Sequence, residues 1–235
     1  MSFHAKAGRL AALRPDLAVV PECACPEVLL RRAPELEFAS YAWAGASSRK
    51  GLAVFSIGDW RLATDRAADS RSATALPVRV TGPASFRLLA VWALPRRSRR
   101  ASGASPEPLA RAIARLAPFL DDRPAIVAGD FNSALVSRRP GGSVRPSRLV
   151  GRLADLGFVS AYHRARRVEH GAEREATLFL NRRLARGRHT DHVFVDQEIA
   201  AGLRSVTVGR GERWVALSDH APVIVDVDVP SSRRI

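Results

Sequence analysis

The sequence contains little lysine and little cysteine, and it has no long hydrophobic segment. Lys6 and Lys50 are the only lysines among 37 basic residues, a bias towards arginine that a GC-rich coding sequence also produces. Cys23 and Cys25 are too close for an ordinary disulfide and too few for a zinc site, which predicts reduced thiols in a reducing compartment. No apolar segment approaches the length that crosses a membrane, so we expect a soluble, unexported, cytoplasmic protein.

The composition predicts one globular domain with an anionic partner. The chain has 235 residues, of which 46% are hydrophobic, so it can bury a substantial core, and we expect a monomeric single domain over residues 1–235. The formal net charge of +14 favours polyanionic partners, nucleic acid above all. Arginine-rich loops at 96–100 and 138–148 would either contact a phosphate backbone or simply be solvated.

One short segment, residues 126–133, combines a buried strand, a turn and two polar side chains. Ile126–Ala128 is an apolar run that predicts the end of a strand, and Gly129 allows the backbone to turn tightly. In an extended chain Asp130 and Asn132 would face the same side, with Phe131 directed into the core. Taken alone, however, aspartate and asparagine after glycine are also ordinary turn residues.

Two further segments repeat the pattern of polar residues at a strand end. Asp219 and His220 precede the alternating strand Val223–Val227, and Asp191 opens the apolar run Val193–Val195. A carboxylate supplies a hard oxygen for Mg2+, and an imidazole can hold and release a proton. Three such strand ends are difficult to explain as turns alone, so they indicate metal-assisted phosphate chemistry.

At these residues the chain resembles the endonuclease/exonuclease/phosphatase superfamily of DNase I-like proteins. The segments that carry the resemblance are spread, by their order and spacing, over nearly the whole chain. The resemblance implies a four-layer α/β sandwich of two packed mixed sheets flanked by helices. The matching segments are PEC at 21–23, KGLAVFS at 50–56, GDFNS at 129–133, TDHVFVD at 190–196 and SDHAPV at 218–223.

The resemblance implies a metal centre and a nucleophile-positioning pair. Glu22 and Asp219 would bind Mg2+ or Mn2+, with waters completing an oxygen-rich shell. Asp130 would orient or deprotonate the attacking water, while Asn132 would position that water or donate to the phosphate.

We expect different roles and positions for four of the histidines. His220, paired with Asp191, would contribute a hydrogen bond or a proton at the phosphate, since the carboxylate fixes the ring's tautomer. His192 points away from the Asp191 side of its strand by alternation. His163 and His170 have no motif support, so we expect them at the surface.

The sequence departs from the superfamily at two places. Relatives begin with a strand that carries an asparagine, whereas this chain begins at Met1, within the loop after that strand, so we expect it to lack the first strand and to be N-terminally truncated. Trp92 occupies the place of a histidine in many superfamily nucleases, and a tryptophan stacks on a base or sugar but transfers no proton. Arg49 and Lys50 are the predicted phosphate contacts beside it.

Three functions follow from these features. The first is a metal-dependent phosphodiesterase, a nuclease acting on DNA or RNA. The second is a phosphatase or phospholipase-type phosphodiesterase acting on a small phosphoester or lipid head group with the same centre. The third is a catalytically weak nucleic-acid-binding protein, suggested by the missing asparagine strand and by Trp92.

Overall fold

The computed structural model describes residues 6–34, 36–93, 108–132, 135–138 and 144–230. Residues 1–5, the arginine-rich loop at 96–100 and residues 139–143 of the second such loop lie outside this part. The chain divides into two compact units, one up to Gly129 and one over Asp130–Pro230. A single domain over 1–235 stays a prediction. No helix in the described part is long and apolar enough to span a membrane.

Among its described residues, the first unit contains seven strands and four short helices. Helix α1 precedes β1, and β1 is the first strand among the described residues. In chain order the elements are α1 (Ala7–Ala11), β1 (Leu17–Cys23), α2 (Pro26–Arg32), β2 (Ser40–Ser47), β3 (Lys50–Ser56), β4 (Arg61–Thr64), β5 (Ala75–Thr81), β6 (Phe86–Trp92), α3 (Leu109–Arg115), α4 (Ala117–Asp121) and β7 (Ala125–Asp130), whose last residue falls in the second unit.

Two sheets organise this unit. In the first, the order is β1-β3-β2, and both outer strands pair antiparallel with β3. The central strand is buried from Gly51 to Ser56 without alternation, as expected of a strand covered on both faces. In the second sheet β7, β6, β5 and β4 lie side by side in that order, with β5 antiparallel to β4 and β6.

Gly129 fixes the close approach of β7 to β6. Its φ of 143° is one that side-chain-bearing residues rarely adopt. A Cβ atom at this position would also collide with the Val91 carbonyl oxygen. Glycine is therefore required immediately before Asp130 for backbone reasons. The predicted tight turn at Gly129 was wrong, because Gly129 lies within β7 and the chain turns only after Asp130.

In the second unit, the part that the structure describes contains eight further strands and four helices, together with two 3-10 helices at Leu180–Arg182 and Leu184–Arg186. In chain order the labelled elements are β8 (Val136–Arg138), β9 (Val144–Pro146), α5 (Arg148–Asp155), β10 (Phe158–Ser160), α6 (Ala161–Arg166), β11 (Leu178–Phe179), β12 (Gly187–Arg188), β13 (Asp191–Asp196), α7 (Gln197–Ala201), β14 (Leu203–Val208), α8 (Gly211–Trp214) and β15 (Val223–Val227).

Antiparallel pairs build the second unit. Strand β10 pairs with β13, and β14 pairs with β15. The side of α6 that carries Tyr162 packs against Val206 and Val208 of β14. The side chain of Ser147 caps α5 by accepting a hydrogen bond from the Leu149 N–H. Hydrophobic packing around α6 thus also supports β13 and β15, whose ends lie beside the polar motifs.

Candidate active site

Asp130 ends β7 and forms a compact pair with Asn132. Its carboxylate accepts one hydrogen bond from the Asn132 backbone N–H at 2.8 Å and one from the Asn132 side-chain amide at 2.9 Å. Phe131, between them, is fully buried, as predicted. The strand ends at Asp130, however, and Asn132 has a φ of 48°. The two side chains therefore meet through a local turn and not through continued strand alternation.

Asp191 and His220 come together from two distant motifs. His220 Nδ1 lies 2.8 Å from Asp191 Oδ2. Burial alone would lower the pKa of His220, but the Asp191 carboxylate, with smaller contributions from Asp130 and Asp219, outweighs burial and raises the pKa to about 9. The imidazole is therefore protonated at neutral pH, and Asp130 lies close enough for its charge to contribute to the raised pKa.

Thr177 holds these strand ends together, and sequence reasoning did not identify it. Its Oγ1 accepts hydrogen bonds from the backbone N–H groups of Thr190 and Asp191 at 2.9 and 3.0 Å. Its carbonyl accepts from the Ala221 N–H at 2.8 Å, and the Thr190 carbonyl accepts from the Phe131 N–H at 2.8 Å. Thr177 thus links the segments that carry Asp191, His220 and Asp130. A lone threonine before a short apolar strand gives no signal of this role.

Asp219 is an exposed carboxylate on a well-anchored backbone. Its carbonyl accepts a hydrogen bond from the Phe179 N–H at 2.7 Å. The Ser218 hydroxyl accepts from the His220 N–H at 3.1 Å. These bonds fix the backbone and leave the orientation of the Asp219 side chain to solvent and ligands.

In the first unit, Glu22 is presented by a β-bulge. The register of β1 against β3 shifts between Pro21 and Cys23, and Glu22 has a φ of 59°, an uncommon value for a residue with a side chain. Its carboxylate pairs with Lys50 Nζ at 2.9 Å, and both side chains are about half exposed. Strained backbone of this kind clusters at functional sites.

The other predicted contacts of the first unit lie around Lys50. Arg49 is exposed in the turn between β2 and β3. Trp92 is buried, and Lys50 Nζ lies 5.2 Å from its ring centroid. Little of the Trp92 ring is therefore exposed for stacking, and its role in substrate binding stays a prediction.

The two cysteines have the predicted thiol form. Within the described residues neither Cys23 nor Cys25 forms a disulfide, and both are buried. Burial raises the pKa of the Cys23 thiol to about 12, so it is uncharged at neutral pH.

The structure corrects the surface positions expected for His163 and His170. His163 is 9% exposed, with Nδ1 2.7 Å from Ser160 Oγ and Nε2 3.0 Å from Glu173 Oε1. His170 is half-buried and stacks on His163 with ring centroids 3.6 Å apart. The expectation was wrong because the segment after α6 folds back over that helix, a long-range effect that local sequence does not encode.

His192 completes what we call the histidine cluster: His163, His170 and His192. It lies on β13 next to Asp191 but is 2% exposed and packs edge to face on Phe131. Burial, together with the neighbouring histidines, lowers the pKa of His192 well below its ordinary value, and it lowers that of His170 to about 4. These two imidazoles are neutral at pH 7.

The structure thus brings Asp130, Asn132, Asp191 and His220 into one polar constellation in the second unit. Asp219 belongs to the same segment as His220. Glu22, Arg49, Lys50 and Trp92 lie in the first unit, where Lys50 contacts both Glu22 and Trp92.

Comparison with known proteins defines the class of fold. No protein-family model and no curated protein matches the chain. Solved structures show that it has the DNase I-like α/β fold, which confirms the predicted fold class.

The individual matches extend over almost the entire chain. The 3′-5′ exonuclease NExo from Neisseria meningitidis aligns with a TM-score of 0.65 and 20% identity over 97% of this chain and 96% of its own. A NExo structure described as a 3′ phosphatase bound to product DNA hairpin gives 0.63, with 20% identity and 95% of each chain. An AP endonuclease from Archaeoglobus fulgidus gives 0.61, with 15% identity over 95% of this chain and 93% of its own.

Proposed function

We propose that this protein is a divalent-metal-dependent phosphodiesterase that hydrolyses phosphodiester bonds in DNA or RNA. The observation that carries the proposal is the 2.8 Å contact between His220 and Asp191, in the same unit as the Asp130–Asn132 pair. A protonated imidazole suits an anionic phosphate, since it offers both charge and a proton. The structural neighbours, an exonuclease, a 3′ phosphatase and an AP endonuclease, support this class of reaction.

His220 acts on the phosphate as a cation and hydrogen-bond donor. Its pKa of about 9 keeps the ring protonated near neutral pH. Asp191 engages Nδ1 and fixes the ring's orientation, so the substrate meets Nε2. A preorganised donor at this position stabilises the charge that develops on the phosphate or on the leaving oxygen.

Asp130 and Asn132 position the attacking water. A carboxylate can accept a hydrogen bond or a proton from water, and the Asn132 amide is held in place by the same carboxylate at 2.9 Å. The Asp130 carboxylate therefore acts on the nucleophile, and the His220 imidazole acts on the phosphate.

Glu22 and Asp219 remain the predicted ligands of Mg2+ or Mn2+, each in its own unit. Both are exposed carboxylates, and hard divalent ions prefer such oxygens and retain part of their hydration. The donor chemistry therefore fits these metals. When bound, the ion supplies Lewis acidity at a non-bridging phosphate oxygen.

Binding of nucleic acid would rest on positive charge. The net charge of +14 favours a phosphate backbone, and Arg49 and Lys50 are exposed cations of the first unit. Lys50 also neutralises Glu22 through their 2.9 Å ion pair. Trp92 would add at most the exposed edge of a buried ring.

A second candidate activity is hydrolysis of a terminal phosphate or of another small phosphoester. One observation favours it: a structural neighbour is a 3′ phosphatase bound to product DNA hairpin. The same residues would serve, because the attacked phosphorus and the attacking water are alike in both reactions. Only the shape of the bound substrate would differ.

The experiment is a substrate panel with the purified full chain. Plasmid, single-stranded DNA, RNA, 3′-phosphorylated DNA and a small bis-phosphoester are each incubated with Mg2+, with Mn2+ and with EDTA. We expect metal-dependent cleavage of DNA or RNA that EDTA abolishes. Release of phosphate from the 3′-phosphorylated DNA alone would establish the second candidate. Salt-sensitive binding of nucleic acid with no hydrolysis of any substrate would overturn both.

A further inference from the structure

The histidine cluster gathers three metal-binding side chains away from the Asp191–His220 pair. His163 lies on α6, His170 in the turn that follows, and His192 on β13. One ring nitrogen of each lies within 4.8 Å of the corresponding nitrogen of the other two. Alternation along β13 directs His192 to the opposite side from Asp191. The cluster is therefore separate from the constellation proposed to act on phosphate.

Two nitrogens of the cluster are buried without a partner. Within the described part of the chain, Nδ1 of His170 and Nδ1 of His192 have no hydrogen-bond partner and are inaccessible to solvent. His192 as a whole is 2% exposed. Buried polar atoms in folded proteins are nearly always paired, so two orphaned nitrogens in one cluster point to a ligand that the polypeptide itself does not provide.

Glu173 orients the third imidazole in the way known for metal ligands. Its Oε1 lies 3.0 Å from His163 Nε2 and also accepts the Gly171 N–H at 3.0 Å. Because a carboxylate only accepts, Nε2 carries the proton. In the neutral form of the ring, the form that binds a metal, Nδ1 then keeps a lone pair, and this nitrogen lies 2.7 Å from the Ser160 hydroxyl. A carboxylate behind a ligating histidine fixes the tautomer and raises its basicity.

We propose that the histidine cluster binds a divalent transition-metal ion, with Zn2+ as the expected occupant. Imidazole nitrogens suit zinc and its neighbours, whereas Mg2+ prefers the oxygens of the acidic residues. His170 and His192 are neutral at pH 7, which is the ligating form. A water or the Ser160 hydroxyl would complete a four-coordinate shell. This proposal is independent of the hydrolytic function.

The cluster can adopt the required geometry with a small movement. Zinc–nitrogen bonds of about 2.0 Å in a tetrahedron place ligand nitrogens about 3.3 Å apart, so nitrogens now up to 4.8 Å apart must close in by about 1.5 Å. His170 can supply this movement, because it lies in a turn followed by Gly171. A bound ion would tie that turn to β13.

The test uses the untagged full chain, stripped of metal with a chelator. Zn2+ binding is followed by calorimetry and by the shift in melting temperature, and Co2+ reports coordination through its visible absorption. We expect one tight equivalent of Zn2+ and a rise in melting temperature. His170→Phe keeps the ring stacking but removes the ligand, and it should weaken binding at least tenfold and abolish the shift. Glu173→Gln should weaken binding by about 10–100-fold.

His220→Gln is the matched control, because it changes a histidine of the same unit outside the cluster. It should bind Zn2+ as tightly as the wild type, whatever happens to hydrolysis. The proposal is overturned if the wild type binds no Zn2+, or if His170→Phe, shown to be folded by circular dichroism, binds it as well as the wild type. Loss of binding in His220→Gln alone would place the ion at the acidic constellation and would equally overturn it.

Discussion

Histidines on the two sides of β13 have opposite electrostatic surroundings. His220 lies against Asp191 and has a raised pKa, whereas His192 and His170 lie among aromatic rings and other histidines and have lowered pKa values. Burial lowers the pKa of all three imidazoles, so burial alone does not explain the opposite direction at His220. The difference is the Asp191 carboxylate, which contacts His220 directly and holds a proton on it, whereas burial and the neighbouring histidines prevail at His192 and, despite Glu173, at His170. A protonated imidazole thus lies against Asp191 on one side of β13, and neutral imidazoles lie on the side of His192.

The largest expected effect comes from replacing His220, the protonated histidine. His220→Gln retains hydrogen-bonding capacity but holds no proton, so we expect turnover on DNA or RNA to fall by about 10²- to 10⁴-fold. Initial rates with Mg2+ near neutral pH measure this loss. Asp228→Asn, which breaks the exposed Arg204–Asp228 ion pair of the same unit, should leave the rate unchanged. A His220→Gln rate equal to that of the wild type would contradict the assigned role.

The charge on His220 should also appear as pH-dependent stability. Its folded-state pKa of about 9 lies above the ordinary value of 6.5. The pair therefore stabilises the folded protein fully below pH 6.5, and this contribution is lost as the pH rises through 9; its size is on the order of 3 kcal/mol. Urea unfolding of the wild type and of His220→Gln in EDTA measures it. The gap between the two should be widest in acid and should close in alkali; a constant gap would refute the shift.

Removing the Thr177 hydroxyl, which anchors the backbone at the start of β13, should have a smaller effect. Thr177→Val removes the acceptor of the Thr190 and Asp191 N–H groups while keeping the shape of the side chain. We expect a loss of about 1–3 kcal/mol in the free energy of unfolding, since buried donors are left unpaired. Thr177→Ser should restore most of it. If Val and Ser were equally stable, the hydroxyl would not be the positioning group.

The smallest effect is expected from a cation in the other unit. Lys50→Gln should reduce affinity for nucleic acid and lower the slope of log affinity against log salt by about 1. Turnover at saturating substrate should change little, in contrast to His220→Gln. Fluorescence anisotropy at several salt concentrations measures the slope, with Arg204→Gln as an exposed control. An unchanged slope would exclude Lys50 as a phosphate contact.

Much of the fold and the polar constellation could be predicted from the sequence because the signals are local. Asp130 follows a buried strand, Asp191 opens one, and the glycine before Asp130 has a backbone requirement visible in the motif itself. The short helix α5 ends at Asp155, and Gly157, two residues later, has a φ of 79°, a conformation in which glycine commonly follows a helix end.

The remainder depended on contacts between distant segments. Thr177 acts on residues 13 and 14 positions further along the chain, and nothing near it in sequence marks that role. His163 and His170 were expected at the surface because no motif supports them, whereas the fold buries His163 and half-buries His170. Asn132 was expected in extended backbone, but the strand ends two residues earlier, at Asp130.

The most direct test of the contrast across β13 is a pH titration of the histidine ring signals by NMR in EDTA. We expect the His220 signal to titrate near pH 9 and to move to a lower pH in Asp191→Asn, while His192 shows no titration down to mildly acidic pH. A His220 signal that titrates near 6.5 in the wild type would contradict the account, because the imidazole would then lack the bound proton on which its proposed action at phosphate depends.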